Sequence, residues 1–149
     1  MSPQRLHEPR STNTFDSLTE RQRSALMSRI RGKDTNPEMR VRRLVHGMGY
    51  RYRLHAKELP GRPDLVFGPR RKAIFVHGCF WHRHPGCTGN QIPKTRSDYW
   101  RHKLDGNVER DRRTEAALRA AGWSVLVIWE CETKGDTDGL ARRIRTFLG

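Results

Sequence analysis

Residues 61–82 read Gly61-Arg62-Pro63-Asp64-Leu65-Val66-Phe67-Gly68-Pro69-Arg70-Arg71-Lys72-Ala73-Ile74-Phe75-Val76-His77-Gly78-Cys79-Phe80-Trp81-His82. Two short apolar runs, Leu65-Val66-Phe67 and Ala73-Ile74-Phe75-Val76, flank a Gly68-Pro69 turn signal, which predicts a β-hairpin. Upstream, Tyr50, Tyr52 and Leu54 alternate with Arg51, Arg53 and His55, the period of a half-exposed strand. Downstream, Val125-Leu126-Val127-Ile128 is continuously apolar and predicts a strand covered on both faces.

Helical patterns surround these strands. Ser17-Leu18-Thr19-Glu20 fits a capping box ahead of Leu26, Met27 and Ile30, a short basic helix closed by Gly32. Asn36 followed by Pro37 and Glu38 opens a second helix whose buried stripe is Val41, Leu44, Val45 and Met48, with Gly49 ending it. Residues from Ser97 to Ala121 are helical in pattern, with a break expected near Gly106-Asn107 and a cap at Gly122. Leu140, Ile144, Phe147 and Leu148 mark a closing helix. The order ααβββααβα predicts an α/β domain, helices around a small mixed sheet. Residues 1–16, polar and without periodicity, read as a basic arm, leaving residues 17–149 as one domain.

The chain carries a formal charge of +14, with 24 arginines against 6 lysines in its 149 residues. A compact domain with that surplus repels itself unless a polyanion is near, and a guanidinium fork matches phosphate bidentately, so nucleic acid is the expected partner. The three cysteines argue against a disulfide framework. The N-terminus lacks a signal-like apolar stretch and no apolar run reaches membrane-spanning length, so a cytoplasmic protein with reduced thiols is expected.

The irregular stretch after Val76 concentrates the chemistry. Cys79, His84 and Cys87 offer soft and borderline ligands at short spacing, and Cys131 is the one remaining cysteine that could complete a tetrahedral zinc site. The spacing is not that of a standard finger, and two buried thiols beside a solvent-facing histidine fit it as well. Asp64 precedes an apolar strand while His77 and His82 follow the next one. A carboxylate and imidazoles so placed suit a metal-dependent phosphodiesterase, although a lone Asp there also serves as a turn residue. Glu38, in a first helical turn, complements the helix dipole. Phe80, Trp81 and Trp100 fit either core packing or base stacking.

Gly61-Arg62-Pro63-Asp64, His77-Gly78-Cys79-Phe80-Trp81-His82, Thr95 to Trp100, Asn107-Val108-Glu109-Arg110-Asp111 and Trp129-Glu130-Cys131 together closely resemble the very short patch repair endonucleases. The resemblance runs from about Met27 to the C-terminus. It implies a restriction-endonuclease-like single domain, a central mixed β-sheet flanked by helices, with a structural zinc site. It also implies a magnesium-dependent endonuclease that nicks double-stranded DNA 5′ of the thymine in a T:G mismatch, starting repair of deaminated 5-methylcytosine.

By resemblance, Asp64 binds magnesium together with the Val76 carbonyl, His82 activates water, His77 supports it, and Glu38 orders the metal's waters. Cys79, His84, Cys87 and Cys131 match the zinc ligands; Phe80, Trp81 and Trp100 match aromatics wedged beside the mismatch, and Met27 a residue inserted from the opposite groove. The chain departs from the family in two places: Val76 stands where threonine is common, and Pro85-Gly86 separates His84 from Cys87 where one residue is familiar. A single nuclease centre and no evident dimer surface predict a monomer nicking one strand rather than a restriction-type nuclease cutting matched DNA, and the joint presence of Asp64, His77 and His82 speaks against a non-catalytic zinc-stabilised binding module. The flanking bases, and whether a mismatch-repair protein assists, are not legible in the sequence.

Overall fold

The computed structural model describes residues 35–149. The arm, the first helix and Met27 lie outside the described residues. Helix α1, Asn36–Gly47, is capped by Thr35, whose hydroxyl accepts the Glu38 N–H, so the cap falls one residue earlier than Asn36. Pro37 sits in the first turn, where a missing N–H costs nothing. Beyond the helix, Gly49 takes φ +98°, a conformation open to glycine at no steric cost.

The sheet has four strands in the order β1-β2-β3-β4: Arg53–Leu54, Leu65–Phe67, Lys72–His77 and Ser124–Trp129. β2 and β3 form the predicted hairpin, antiparallel, with Leu65 opposite Ile74 and Val66 opposite Ala73. The alternating stretch 50–55 supplies only the two paired residues of β1. Tyr50 is buried and Tyr52 half-buried, but Leu54 is exposed, and His55 enters the left-handed region at φ 47° and ends the strand. β4 runs parallel to β3, from Lys72 opposite Ser124 to His77 opposite Trp129.

The crossover between β3 and β4 is helix α2, Ser97–Ala120, 24 residues without the expected break. One glycine costs about 1 kcal/mol in a helix, too little to interrupt one anchored by buried Trp100, Leu104 and Leu118. Asn107, read from the sequence as a breaker, is instead buried and donates through its amide to the Trp81 carbonyl at 2.9 Å. A single turn, α3 (Glu130–Thr133), and the predicted closing helix α4 (Thr137–Leu148) complete the fold.

Alternate residues of β4 face opposite layers. Ile128 and Leu126 join Ile74, Leu65 and Phe67 against Val41 and Val45 of α1 and Leu140, Ile144 and Leu148 of α4. Val125 and Val127 join Phe75 against Leu118 of α2. The strand is thus covered on both faces, as its apolar run requires. No helix among the described residues is long and apolar enough to cross a membrane. The mixed sheet carries two kinds of connection at its centre, and both deliver chemistry: the hairpin brings Asp64 beside Val76, and β3 and β4 end together at His77 and Trp129.

Candidate active site and metal centre

Asp64 stands at the entrance to β2, after Gly61 and Arg62 in left-handed conformations and buried Pro63. The Val76 N–H donates to its Oδ2 at 2.7 Å, which fixes the carboxylate across the hairpin. Burial raises the Asp64 carboxyl to about 6, against the opposing Val76 hydrogen bond and helped by the neighbouring Glu38 carboxylate. Two acidic groups this close, one of them held in a place that disfavours its charge, suit a divalent cation.

Glu38 is 3% exposed. Its Oε2 accepts from Arg42 at 2.5 Å and lies 2.6 Å from His55 Nε2. Ligating atoms of Glu38, His55 and Asp64 all fall within 4.8 Å of one another. The left-handed turn at His55 that ends β1 also delivers its ring to Glu38.

At the far end of β3, His77 is buried and its pKa is lowered to about 3, chiefly by burial and then by the neighbouring His82. A tight turn closed by the His82 N–H to the Gly78 carbonyl folds His82 back onto it. The two imidazoles stack at 3.8 Å with planes 6° apart. His82 Nδ1 meets Asp111 Oδ2 at 2.6 Å. With the carboxylate accepting from Nδ1–H, the other ring nitrogen, Nε2, is left as a base. Glu38, Asp64, Val76, His77, His82 and Asp111 all line one cleft of about 470 Å³, joined at its rim by Arg62 and Arg110.

A second cluster lies beyond the turn. Cys79, His84, Cys87 and Cys131 place their ligating atoms within 4.8 Å of one another. His84 Nδ1 is 3.6 Å from the Cys79 sulfur and 3.5 Å from that of Cys131. Tetrahedral zinc with its usual bond lengths separates a sulfur from a nitrogen ligand by roughly 3.6 Å. The donor set and spacing therefore fit zinc, and between His84 and Cys87 the chain passes through Gly86 at φ +75°. Burial pushes the Cys79 thiol up to about 12, so ionising that sulfur calls for a bound cation.

The aromatic residues form a third group. Phe80, Trp81 and Trp100 contact one another with centroids 5.0–6.0 Å apart. Phe80 and Trp81 are half-buried, whereas Trp100 is wholly buried beneath them.

Sequence reasoning missed two residues of the site: Asp111, which lines the cleft, and His55, which pairs with Glu38. Asp111 lies 29 residues from His82 in a helix dense with charge, where any one carboxylate reads as a solvated surface group. His55 belonged to an alternating pattern that read as strand. The one signal for Asp111 was its place in the Asn107–Asp111 string.

The family described as DNA mismatch endonuclease Vsr matches residues 15–88. The chain is 53% identical over 133 residues to a protein of Xanthomonas oryzae named type II nicking enzyme V.XorIIP, covering 89% of this chain and 96% of that one. It is 45% identical over 113 residues to the DNA mismatch endonuclease Vsr of Escherichia coli K12, covering 76% and 72% respectively. Type II nicking enzyme V.NmeAIP of Neisseria meningitidis is 41% identical over 119 residues, covering 80% and 84%.

Proposed function

The chain belongs to the Vsr family of DNA mismatch endonucleases, and from that premise we propose that it nicks one strand of duplex DNA on the 5′ side of the thymine in a T:G mismatch. The observation that carries the reading is the single cleft that unites Asp64, His77, His82 and Asp111. In this reading the domain is restriction-endonuclease-like, a mixed sheet presenting catalytic groups at its centre.

Asp64 and the Val76 carbonyl would hold magnesium, and Glu38 would order its water shell. When bound, the cation supplies charge neutralisation at the scissile phosphate and the leaving oxygen. His82 takes the proton from the attacking water through Nε2. Asp111 fixes the tautomer that makes this possible, and the imidazolium formed is stabilised by the same carboxylate. His77 remains neutral under its burial and holds the His82 ring plane by stacking. Arg62 and Arg110 at the rim supply positive charge for the phosphate backbone. Cys79, His84, Cys87 and Cys131 would hold zinc, which would tie the turn bearing His82 to α3, just beyond β4. Phe80 and Trp81 project beside the cleft, where a weakly stacked wobble pair yields more cheaply than a matched one; the deaminated product of 5-methylcytosine is such a pair.

A nicking assay tests the proposal. Supercoiled and oligonucleotide duplexes carrying matched, T:G or other mismatched pairs in randomised flanks are incubated with and without magnesium. A single nick 5′ of the mismatched thymine, requiring magnesium, is expected. Equal cleavage of matched duplex, or cuts in both strands, would point to a restriction-type enzyme instead.

A further inference from the structure

Trp129 has no part in the chemistry above, yet it lies where the two histidine-bearing segments meet. In the parallel register of β3 and β4 it is the partner of His77. Its indole stands edge-on to the His77 ring, centroids 5.4 Å apart at 72°. It also lies flat against the His84 ring, 4.3 Å away at 10°. His77 stacks in turn on His82, which meets Asp111. One indole therefore touches both a zinc-ligand candidate and the buried histidine behind the proposed base.

Trp129 is itself held. Its backbone N–H donates to Glu132 Oε1 at 2.8 Å, and the next residue, Glu130, accepts the Cys79 backbone N–H through Oε1 at 3.4 Å. It belongs to neither apolar cluster of the core, so filling volume does not account for it. The imidazole χ2 torsion is soft, and packing rather than covalent geometry sets the plane of the ring. A metal-bound imidazole, by contrast, has its plane fixed by its ligand bond and outer partners.

We propose that Trp129 is a positioning residue for catalysis: it carries the ring orientation set at the Cys79–His84–Cys87–Cys131 centre to His77, and through His77 to His82. The inference rests on the reading of His77 and His82 as catalytic machinery. Displacing a reacting group by an ångström costs on the order of a hundredfold in rate, and losing the indole edge frees the His77 ring by a fraction of that.

The test uses the zinc-loaded full chain with Trp129→Leu, Trp129→Phe, His77→Ala and the two double variants Trp129→Leu/His77→Ala and Trp129→Phe/His77→Ala. Zinc content, affinity for a T:G duplex and the single-turnover nicking rate are measured on each. Trp129→Leu should lower the nicking rate about ten- to a hundredfold, with zinc content and affinity unchanged, and Trp129→Phe should restore most of the rate by retaining a flat ring. In the His77→Ala background the Trp129→Leu change should cost less than about twofold, because residues acting through one another are not additive. A Trp129→Leu rate equal to wild type, or a loss fully additive with His77→Ala, overturns the inference. If Trp129→Leu sheds zinc, Trp129→Phe decides: a modest loss that vanishes in the His77→Ala background supports positioning, and an additive one overturns it. Wild-type nicking by His77→Ala would overturn the inference together with the active-site reading beneath it; a crippled His77→Ala beside a fully active Trp129→Leu would overturn the inference alone.

Discussion

Asp64 is a half-buried carboxylate with a second carboxylate, Glu38, close by, and its pKa is raised to about 6 from an ordinary 3.8. A folded-state value above the unfolded one means the native state holds the proton more tightly. The contribution to stability is therefore fully present below about pH 4 and lost as pH rises through about 6. At neutral pH, ionised Asp64 costs up to about 3 kcal/mol in the absence of a cation, at about 1.4 kcal/mol per unit. His77 runs the other way, since its depressed pKa of about 3 makes its contribution present above about 6.5 and lost on acidification. Asp64→Asn should thus raise the thermal midpoint at pH 7.5 without added magnesium, gain nothing at pH 4, and abolish nicking. Magnesium should stabilise the wild type and not the variant. Differential scanning at both pH values checks this, and a destabilised Asp64→Asn at pH 7.5 would contradict it. At this scale the sequence exposed Asp64, His77 and His82 because one hairpin and one tight turn bring them together. Asp111 and His55 join only through the tertiary fold, at separations where neither period nor spacing carries a signal.

At the scale of elements, local chemistry was legible and competition between forces was not. The hairpin, the closing helix and the two-sided β4 all follow from apolar pattern. The break expected at Gly106-Asn107 fails because Asn107 finds a buried partner in the Trp81 carbonyl and the flanking turns are anchored in the core. The strand expected over residues 50–55 shrinks to Arg53–Leu54: its partner β2 spans only Leu65–Phe67, and the positive φ of His55 ends it. The zinc turn can be tested as a unit. Cys131→Ser should lose zinc and lower the thermal midpoint of the whole domain, because zinc binding energy is folding energy. Retained zinc and an unchanged melt would remove Cys131 from the ligand set. The aromatic group divides by burial. Trp100→Ala should cost about 3–5 kcal/mol of stability, as loss of a large core side chain does, whereas Trp81→Ala should leave the melt nearly unchanged and weaken T:G binding about ten- to a hundredfold. Chemical denaturation and binding titrations separate the two. A stable Trp100→Ala protein with weakened mismatch binding would make Trp100 a DNA-contacting residue as the resemblance implied.

For the whole molecule, the dominant quantity is charge, +14 and mostly arginine. Phosphates are the same on matched and mismatched duplex, so neutralising them releases the same counterions from both. The mismatch contributes through stacking and through the lower cost of opening a wobble pair, neither of which releases salt. Binding to the two duplexes should therefore fall with added salt along parallel lines in log affinity against log salt concentration. The offset between the lines is the discrimination, and it should hold from low to physiological salt. Trp81→Ala should shrink the offset and keep the slope. Replacing Arg62 or Arg110 at the cleft rim by glutamine should lower the slope by about one unit each and keep the offset. Fluorescence anisotropy with matched and T:G duplexes across a salt series measures both numbers at once. Lines that converge as salt rises would mean that the mismatch is read electrostatically, by arginines reaching a distorted backbone, and the aromatic group beside the cleft would then be a packing element only.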